Sequence, residues 1–274
     1  MNAPSAVTVP AREAVLLREN LDGVAVLTLN RPAQRNSLSV EMLEAVTAAF
    51  AAITDDPAIR AVVLAANGPA FSSGHDLKEL TARRADADGG CAFFTMVWER
   101  CNAMMRAVRG LPKPVIACVQ GVASAAGCQL VATCDLAVAS AAASFATPGV
   151  NIGLFCSSPM VALSRNVAPK HAMEMLLTGD AIPAEQALRI GLVNRVVPAG
   201  TERAEAIALA RHIASKSAAA IRIGKPAFYA QLDMELAQAQ DFAAKVMVDN
   251  MLDADALEGI GAFLAKRPPK WRDG

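Results

Sequence analysis

Aromatic side chains are scarce in this sequence, and neither sign of charge is in excess. Phe, Trp and Tyr make up 4% of the 274 residues, and 26 Lys and Arg balance 26 Asp and Glu, so the formal net charge is zero. Proteins that bind nucleic acid usually present a basic surface, and single-strand binders add aromatic side chains for stacking. We therefore predict that the protein has no nucleic-acid partner.

Metal-binding, disulfide and secretory motifs are also missing. The 3 histidines are widely separated, and no two of the 6 cysteines form a CxxC pair. We therefore expect no metal site and cysteines that stay reduced. The N-terminal residues have no basic start followed by an apolar run, which argues against a signal peptide. We predict a loose tail over residues 1–13 and a cytoplasmic location.

A long run of large apolar side chains is absent as well. Asp135 is the single charged residue between Val115 and Ser164, but this stretch is rich in Ala, Ser, Gly and Cys and contains Pro148. A membrane-spanning helix needs about 20 mainly large apolar residues. We predict no membrane partner and interpret the stretch as a buried core.

Strand and helix patterns alternate over most of the chain. An Asp-Gly pair at residues 22–23 separates two apolar segments and predicts a hairpin. Short apolar runs such as residues 61–65 predict buried strands, and amphipathic segments such as residues 93–109 predict helices. From residue 201 onward the pattern is helical throughout. We predict an α/β fold with a core over residues 14–200 and a helical C-terminal subdomain over residues 201–274.

Two loops of small residues are candidates for chemistry. FSSGHDL at residues 71–77 and GVASAAGC at residues 121–128 each follow a predicted strand and lead into a predicted helix. Backbone N–H groups at a helix start are unpaired, so two such starts facing each other would form an oxyanion hole. Ordinary turns are the alternative for either loop. Asp76 and Glu79 have the spacing of a capping box.

Other common catalytic motifs are absent. The sequence has no GxGxxG after a strand, no GxxxxGK[ST] and no GxSxG. These absences argue against a dinucleotide-binding fold, a P-loop and an α/β-hydrolase nucleophile.

The chain resembles the crotonase family, the enoyl-CoA hydratases and isomerases, over nearly its whole length. The resemblance rests on six segments in order: NRPAQRNSL (30–38), FSSGHDLKEL (71–80), GVASAAGCQLVATCDLAVAS (121–140), FATPGVNIGLF (145–155), LLTGDAIPAEQALRIGLVNRVV (176–197) and EGIGAFLAKRPPKW (258–271). It implies a crotonase-type spiral of strand-strand-helix repeats with a helical C-terminal trimerisation subdomain. It also implies an acyl-CoA thioester as substrate, no separate cofactor, and self-association as a homotrimer or hexamer. Within the family, the chain is most similar to the enoyl-CoA hydratase domain-containing branch.

The resemblance carries residue roles onto this chain. It assigns the two oxyanion N–H groups to His75 and Ala126, while the imidazole of His75 either projects toward the acyl pocket or, as we expect, fills space. It predicts substrate or CoA contacts for a further set of residues: Ala33, Arg35, Ser73, Gly74, Asp76, Leu77, Ala125, Gly127, Pro148 and Lys266. It also pairs Arg267 with Lys266 as a basic pair that reaches a phosphate on a neighbouring subunit.

Two positions depart from the family pattern. Gln129 and Gly149 stand where hydratases of the family carry glutamates, and an amide cannot exchange a proton as a carboxylate does. We therefore predict an enoyl-CoA hydratase/isomerase-like enzyme with weak or atypical hydratase activity. The alternatives are a non-catalytic acyl-CoA-binding or regulatory protein, and another reaction of the family such as isomerisation, decarboxylation or thioester hydrolysis. We also expect the pair Gln129→Glu and Gly149→Glu to raise hydration.

Two further predictions concern the second half of the chain. The polar candidates near the site are Asn151, Cys156, Ser157 and Ser158. We expect the two serines to cap the next helix, with Pro159 in its first position. The C-terminal helices carry regularly spaced apolar residues, which predicts a face buried against a neighbouring subunit. These residues are Leu232, Leu236, Ala239, Phe242, Val246, Ile260, Phe263 and Leu264.

Overall fold

The structure is a computed structural model that describes residues 13–272. The strands are β1 (Leu16–Leu21), β2 (Val24–Leu29), β3 (Ala61–Ala66), β4 (Ala70–Ser72), β5 (Val115–Val119), β6 (Val122–Ser124), β7 (Leu136–Ser140), β8 (Ser144–Ala146), β9 (Ile182–Pro183) and β10 (Arg195–Val197). The helices are α1 (Val40–Thr54), α2 (Leu77–Ala82), α3 (Cys91–Gly110), α4 (Ala126–Thr133), α5 (Ser157–Leu163), α6 (Pro169–Thr178), α7 (Ala184–Arg189), α8 (Glu202–Ala214), α9 (Ala218–Gln231), α10 (Leu236–Met251) and α11 (Ala254–Leu264). The α/β fold predicted from the sequence is confirmed.

A six-stranded sheet in the order β1-β2-β3-β5-β7-β10 forms the centre of the molecule. Its first pair is the predicted hairpin, whose turn residues Asp22 and Gly23 both have positive φ. Side chains alternate between the two faces of β2, so that Leu27 packs in one apolar cluster and Val26 in the other. Because β2 is buried on both faces, its sequence VAVLTL contains a single polar residue.

A second sheet of four short strands, β4-β6-β8-β9, lies beside the first. The strand pairs β3–β4, β5–β6 and β7–β8 each place their first strand in the large sheet and their second in the small one, and a helix follows each pair. This is the strand-strand-helix repeat that the resemblance implied. It brings the ends of β4, β6 and β8 to one edge, where the candidate loops begin.

Several predicted boundaries were wrong around the site. The segment predicted as a loop before α4 contains β6, and α4 begins at Ala126 rather than at residue 128. Neither Ser157 nor Ser158 caps α5: the helix begins at Ser157, and its N-cap Cys156 makes no side-chain capping bond. The Ser157 hydroxyl instead donates to the Phe155 carbonyl at 3.3 Å.

The C-terminal residues are helical, as predicted. Ala206 and Ala210 of α8 pack in the apolar cluster on the second face of the large sheet, so α8 is part of the core. The division of the chain at residue 200 stays a prediction, and most of the predicted tail lies outside the described residues. Among residues 13–272, no helix has both the length and the apolar character that a membrane crossing requires.

A buried polar cluster fastens α9 to the core. Lys225 of α9 forms a 2.7 Å ion pair with Asp135, and the Tyr229 hydroxyl donates to the same carboxylate at 2.8 Å. Asp135 also accepts the N–H of Val115 at 2.7 Å. Since Asp135 lies between α4 and β7, the cluster ties the C-terminal helices to the element that carries half of the candidate site.

Candidate active site

The two small-residue loops are in direct contact. A Cβ placed on Gly74 would lie 2.9 Å from the Cβ of Ala125 and 3.4 Å from the nitrogen of Ala126. A Cβ on Gly127 would lie 2.3 Å from the carbonyl oxygen of Ser72. Both glycines are therefore required by the close approach of the two backbones.

Two backbone N–H groups remain unpaired where these loops meet. Leu38 and His75 form an isolated parallel β-bridge, in which the Leu38 N–H donates to the Gly74 carbonyl at 2.8 Å and the Asp76 N–H donates to the Leu38 carbonyl at 3.4 Å. The N–H of His75 itself takes no part in this bridge. Ala126 is the first residue of α4, so its N–H has no intrahelical acceptor. Within residues 13–272, neither N–H has an acceptor. The geometry thus provides two free donors from two adjacent loops.

The backbone of Ala125 sets the direction of the second donor. Its φ of 50° and ψ of −116° lie outside the regions that alanine normally occupies, and its N–H is fixed by a 2.9 Å bond to the Ala146 carbonyl. Such conformations cost about 1–3 kcal/mol and cluster at functional sites.

Beside the donors lies a cavity of about 480 Å³. Its wall combines apolar side chains with a few neutral polar ones, and it contains no Asp, Glu, Lys or Arg among the described residues. The lining residues are Ser73, His75, Leu77, Leu80, Trp98, Ser124, Ala125, Ala126, Pro148, Gly149, Asn151, Ile152, Leu154, Phe155, Cys156, Ser157, Ser158 and Pro159.

Half of the predicted site residues line this cavity. They are Ser73, His75, Leu77, Ala125, Ala126, Pro148 and Gly149. Gly74 and Gly127 lie behind the wall as the close-packed glycines described above. Lys266 is exposed just after α11, and Arg267 forms an ion pair with Glu258 at 2.7 Å. The proposed contact of the basic pair with a phosphate stays a prediction.

The imidazole of His75 is part of the cavity wall and packs against Trp98 of α3, with 5.2 Å between ring centroids. Both ring nitrogens are buried, and neither has a hydrogen-bond partner within residues 13–272. Burial lowers the pKa of His75 below its usual 6.5, and the Leu38 backbone beside the ring opposes this lowering of the pKa only in part. The ring is therefore neutral at pH 7.

Gln129 and Gly149, which stand where hydratases of the family carry glutamates, differ in their position relative to the cavity. Gln129 is 5% exposed within α4, its Oε1 has no partner, and it does not belong to the cavity wall. Gly149 does line the cavity, but a Cβ there would lie 2.4 Å from the Leu154 carbonyl oxygen and 2.9 Å from Sγ of Cys156. Burial raises the pKa of the Cys156 thiol, partly opposed by the Gly149 N–H, so this thiol is protonated at neutral pH.

The loop that contains Ala33 and Arg35 lies against the first candidate loop. Both residues are exposed, and the Arg35 carbonyl accepts the N–H of Ser73 at 3.0 Å. Asn36 holds the loop in place through its buried amide, which donates to the carbonyls of Asn67 and Ala70 at 2.8 Å. The exposed side chains of this loop are thus available beside the cavity wall at Ser73.

Asp76 caps α2 as predicted, but Glu79 does not form the reciprocal hydrogen bond to the Asp76 N–H that a capping box requires. The Asp76 carboxylate accepts the N–H groups of Lys78 and Glu79, and it also receives Arg31 at 3.3 Å. Glu79 turns away from Asp76 and accepts the N–H of Val40 at 3.0 Å, at the start of α1. The predicted reciprocal bond is wrong because α1 lies close enough to compete for the Glu79 carboxylate.

Several cavity residues were missed from the sequence. Leu80, Trp98, Ile152, Leu154 and Phe155 supply much of the apolar wall. Their spacing is typical of core or surface positions, and nothing in the sequence alone indicates that Trp98 of α3 meets the loop at His75. In the part of the chain that the structure describes, no group of three or more His, Cys, Asp or Glu is placed to hold a metal ion.

Comparison with known proteins agrees with this arrangement. A sequence profile described as Enoyl-CoA hydratase/isomerase matches residues 19–274. The chain belongs to this family. The crystal structure of an enoyl-CoA hydratase of Mycobacterium smegmatis superposes with a TM-score of 0.89 at 48% identity, covering 94% of this chain and 99% of that one.

Human enoyl-CoA hydratase domain-containing protein 3, mitochondrial, is similar in sequence and in structure. It is 47% identical over 251 residues, which cover 92% of this chain and 81% of the human protein. Its crystal structure gives a TM-score of 0.89 at 46% identity, covering 94% of this chain and 100% of that one. The predicted family and crotonase fold are therefore confirmed.

The predicted cytoplasmic location is wrong by the same comparison. The human relative and its rat counterpart, which is 46% identical over 250 residues, are both described as mitochondrial proteins. The prediction rested on cysteines that are expected to stay reduced, and this property does not distinguish among the compartments in which thiols stay reduced.

Proposed function

We propose that this protein binds acyl-CoA thioesters with the thioester oxygen on the N–H groups of His75 and Ala126. The observation that supports this most is the pair of unpaired donors at the wall of an uncharged, largely apolar cavity. Two donors aimed at one oxygen stabilise the negative charge that develops there when the adjacent carbon becomes an enolate. Membership of the enoyl-CoA hydratase/isomerase family supports the same substrate class.

The proposal includes that this protein hydrates enoyl-CoA thioesters only slowly. Hydration needs a base that activates water and an acid that protonates carbon, and each such group contributes about 10²–10⁴ in rate. Among the described residues, the cavity wall offers no carboxylate for either task. His75 and Cys156 are neutral at pH 7, with pKa values displaced by burial away from their ordinary ranges. The loop with Ala33 and Arg35, together with Lys266, remains the proposed contact for the CoA moiety.

A non-catalytic acyl-CoA-binding protein is the second candidate. The lack of a carboxylate among the described residues of the cavity wall favours it, since the backbone donors alone suffice to bind a thioester. The two candidates differ in turnover rather than in binding.

The test compares butyryl-CoA with S-butyl-CoA, a thioether that lacks the carbonyl group. Hydrogen bonds to a partly charged acceptor contribute about 1.5–3 kcal/mol, so calorimetry should give about ten- to a hundredfold tighter binding of butyryl-CoA. Equal affinity for the two ligands would contradict the proposal. Assays with crotonyl-CoA then test for hydration: slow hydration indicates a weak hydratase, and no turnover is the result expected of a binding protein. Fast hydration would show that an acid–base group outside this account does the work.

A further inference from the structure

The backbone that carries the His75 N–H is fastened on both sides to the loop of residues 30–38. On one side, the Leu38 N–H donates to the Gly74 carbonyl at 2.8 Å. On the other side, the Asp76 N–H donates to the Leu38 carbonyl at 3.4 Å, which is long for an N–H···O bond. The backbone bonds therefore hold His75 less firmly on the side of Asp76.

Side-chain contacts to Asp76 reinforce this weaker side. Both terminal nitrogens of Arg31 lie 3.3 Å from Oδ2 of Asp76, and the Ser37 hydroxyl donates to the same oxygen at 3.1 Å. Arg31 also donates to the Ser37 carbonyl at 3.1 Å, and its backbone N–H donates to Oδ1 of the buried Asn36 at 2.8 Å. Arg31 is thus fixed within the 30–38 loop while it holds the Asp76 carboxylate.

Arg31 contacts the site from outside the cavity. Neither Arg31 nor Asp76 is part of the described cavity wall, whereas His75 is. The other carboxylate oxygen of Asp76, Oδ1, accepts the N–H groups of Lys78 and Glu79 at the start of α2. The cap of α2 and the contact with Arg31 therefore use different oxygens. What the ion pair adds to the cap is a connection between the 30–38 loop and the peptide that carries the donor.

The charge of Asp76 gives the ion pair a second role. A carboxylate one residue away from the donor opposes the negative charge that develops on an oxygen bound there. The Arg31 guanidinium offsets this carboxylate, and the two side chains are only 15% and 16% exposed, so salt and water screen the pair less than at an open surface. Loss of Arg31 both loosens the donor and leaves an opposing charge beside it, and the two effects weaken the same hydrogen bond.

We propose that Arg31 is a positioning residue for the His75 N–H: through Asp76 it fixes the direction of this donor and offsets the nearby carboxylate, so that a bound thioester carbonyl is more strongly polarised. The inference rests on the proposed function, in which this N–H binds the thioester oxygen. Arg31 itself does not touch the substrate in this role.

The test compares the thioester carbonyl bound to the wild-type protein and to Arg31→Met, which lacks the charge and the donors of arginine. Infrared difference spectroscopy of butyryl-CoA with a ¹³C-labelled carbonyl measures how far the protein lowers the C=O stretching frequency. Arg31→Met should lower it less than the wild type does. Its preference for butyryl-CoA over S-butyl-CoA should fall about tenfold, the effect of losing one hydrogen bond. Because both ligands carry CoA, a general effect on CoA binding cancels in this ratio.

Three further variants separate positioning from a purely structural role. Arg31→Lys keeps the charge and should restore part of the frequency shift. In an Asp76→Asn background, which keeps a good cap for α2, Arg31→Met should have a smaller effect because the ion pair is already lost. Arg18→Met is the matched control: it breaks the 2.8 Å ion pair between Arg18 of β1 and Asp56, and it should leave the frequency and the preference unchanged.

The outcomes distinguish this inference from the proposed function. A wild-type protein that neither lowers the frequency nor prefers butyryl-CoA contradicts the proposed function, and this inference with it. If the wild type does both and Arg31→Met does both equally well, or if the effect of Arg31→Met persists in full beside Asp76→Asn, the role of Arg31 is overturned and the proposed function stands. Should Arg31→Met fail to fold, Ser37→Ala decides, because it removes another donor to the same Asp76 oxygen. A smaller frequency shift in Ser37→Ala supports the inference, and an unchanged shift overturns it.

Discussion

At Gly149 the backbone runs so close to its neighbours that a methyl group does not fit. The Leu154 carbonyl and the Cys156 thiol occupy the space that a Cβ would need, and the former cannot move without displacing the chain. Gly149→Ala should therefore lower the free energy of unfolding by about 1–3 kcal/mol, the usual effect of overpacking. Urea denaturation measures it. Gly110→Ala is the matched control because a Cβ there meets nothing within 4 Å, and equal stability of the two variants would contradict this account.

The same contact changes an expectation drawn from the sequence. Gln129→Glu together with Gly149→Glu was expected to raise hydration by restoring two acid–base groups. Because Gly149 has no room for a side chain and Gln129 does not reach the cavity wall, we no longer expect this gain. A sequence motif shows which positions correspond to the family's glutamates, but the local backbone packing determines whether a glutamate side chain fits there.

Residue roles that depend on chain order could be predicted, and those that depend on packing could not. The donors at His75 and Ala126 follow strands, so their adjacency could be inferred from the two loop motifs. Trp98 lies on a long amphipathic helix, where its spacing is that of a core residue. Only the packing of α3 against the first loop brings it beside His75.

Among the secondary-structure elements, α2 has an N-cap, Asp76, whose charge is also stabilised by residues outside the helix. Burial tends to raise the pKa of Asp76, but hydrogen bonds from Ser37 and from the N–H of Glu79, together with Arg31, outweigh it, and the pKa lies below 3.8. Asp76→Ala should therefore lower the free energy of unfolding at pH 7 by about 0.5–2 kcal/mol.

The effect of Asp76→Ala should depend on pH in a defined direction. A depressed carboxyl pKa stabilises the fold fully above the unfolded value near 3.8, and this stabilisation is lost as pH falls through the folded pKa. The difference between wild type and variant should shrink from pH 5 to pH 2 in urea titrations. Asp86→Ala removes only an exposed pair at 4.0 Å and should have little effect at any pH. A wild-type advantage that persists undiminished at pH 2 would argue against the assigned role of the Asp76 charge.

Element prediction succeeded where local patterns are strong. The hairpin at the Asp-Gly pair and the buried strand predicted over residues 61–65 agree with the structure. β6 was missed because Val122–Ser124 is part of a stretch of small residues with no alternating pattern, and its strand character comes from pairing with β4 and β8. The hydrogen bond of Glu79 was mispredicted for the same reason, since tertiary packing brings its actual partner, Val40 of α1, beside it.

At the scale of the whole molecule, the C-terminal helices expose several large apolar side chains to solvent. Leu252 and Phe263 are each 82% exposed, and Leu236 is 74% exposed, whereas Ala239 is buried. Residues of this size seldom cluster on the surface of a monomer. The alternative, in which these helices pack only against their own core, is therefore not favoured by the exposed positions. We keep the prediction of a homotrimer or hexamer.

Sedimentation equilibrium tests this assembly at micromolar concentration. The wild-type protein should sediment as a trimer or hexamer, and Phe263→Asp should dissociate because it places a charge on the exposed apolar face. Asn102→Asp adds the same charge at an exposed position on α3 and should leave the assembly intact. A wild-type monomer would end the prediction.

The two free donors of the candidate site belong to the main chain, and this has a consequence for how the protein can change over time. No replacement of a side chain deletes a backbone N–H, except by proline. Point mutations can therefore alter the acid–base groups, the acyl wall and the ring at His75 one by one while the donor pair persists. A mutational scan scored by thioester binding should tolerate most residues at position 75 and very few at Gly74 or Gly127, whose missing side chains keep the two donors together. Under the proposed function, the capacity to hold a thioester is thus inherited separately from the reaction performed on it.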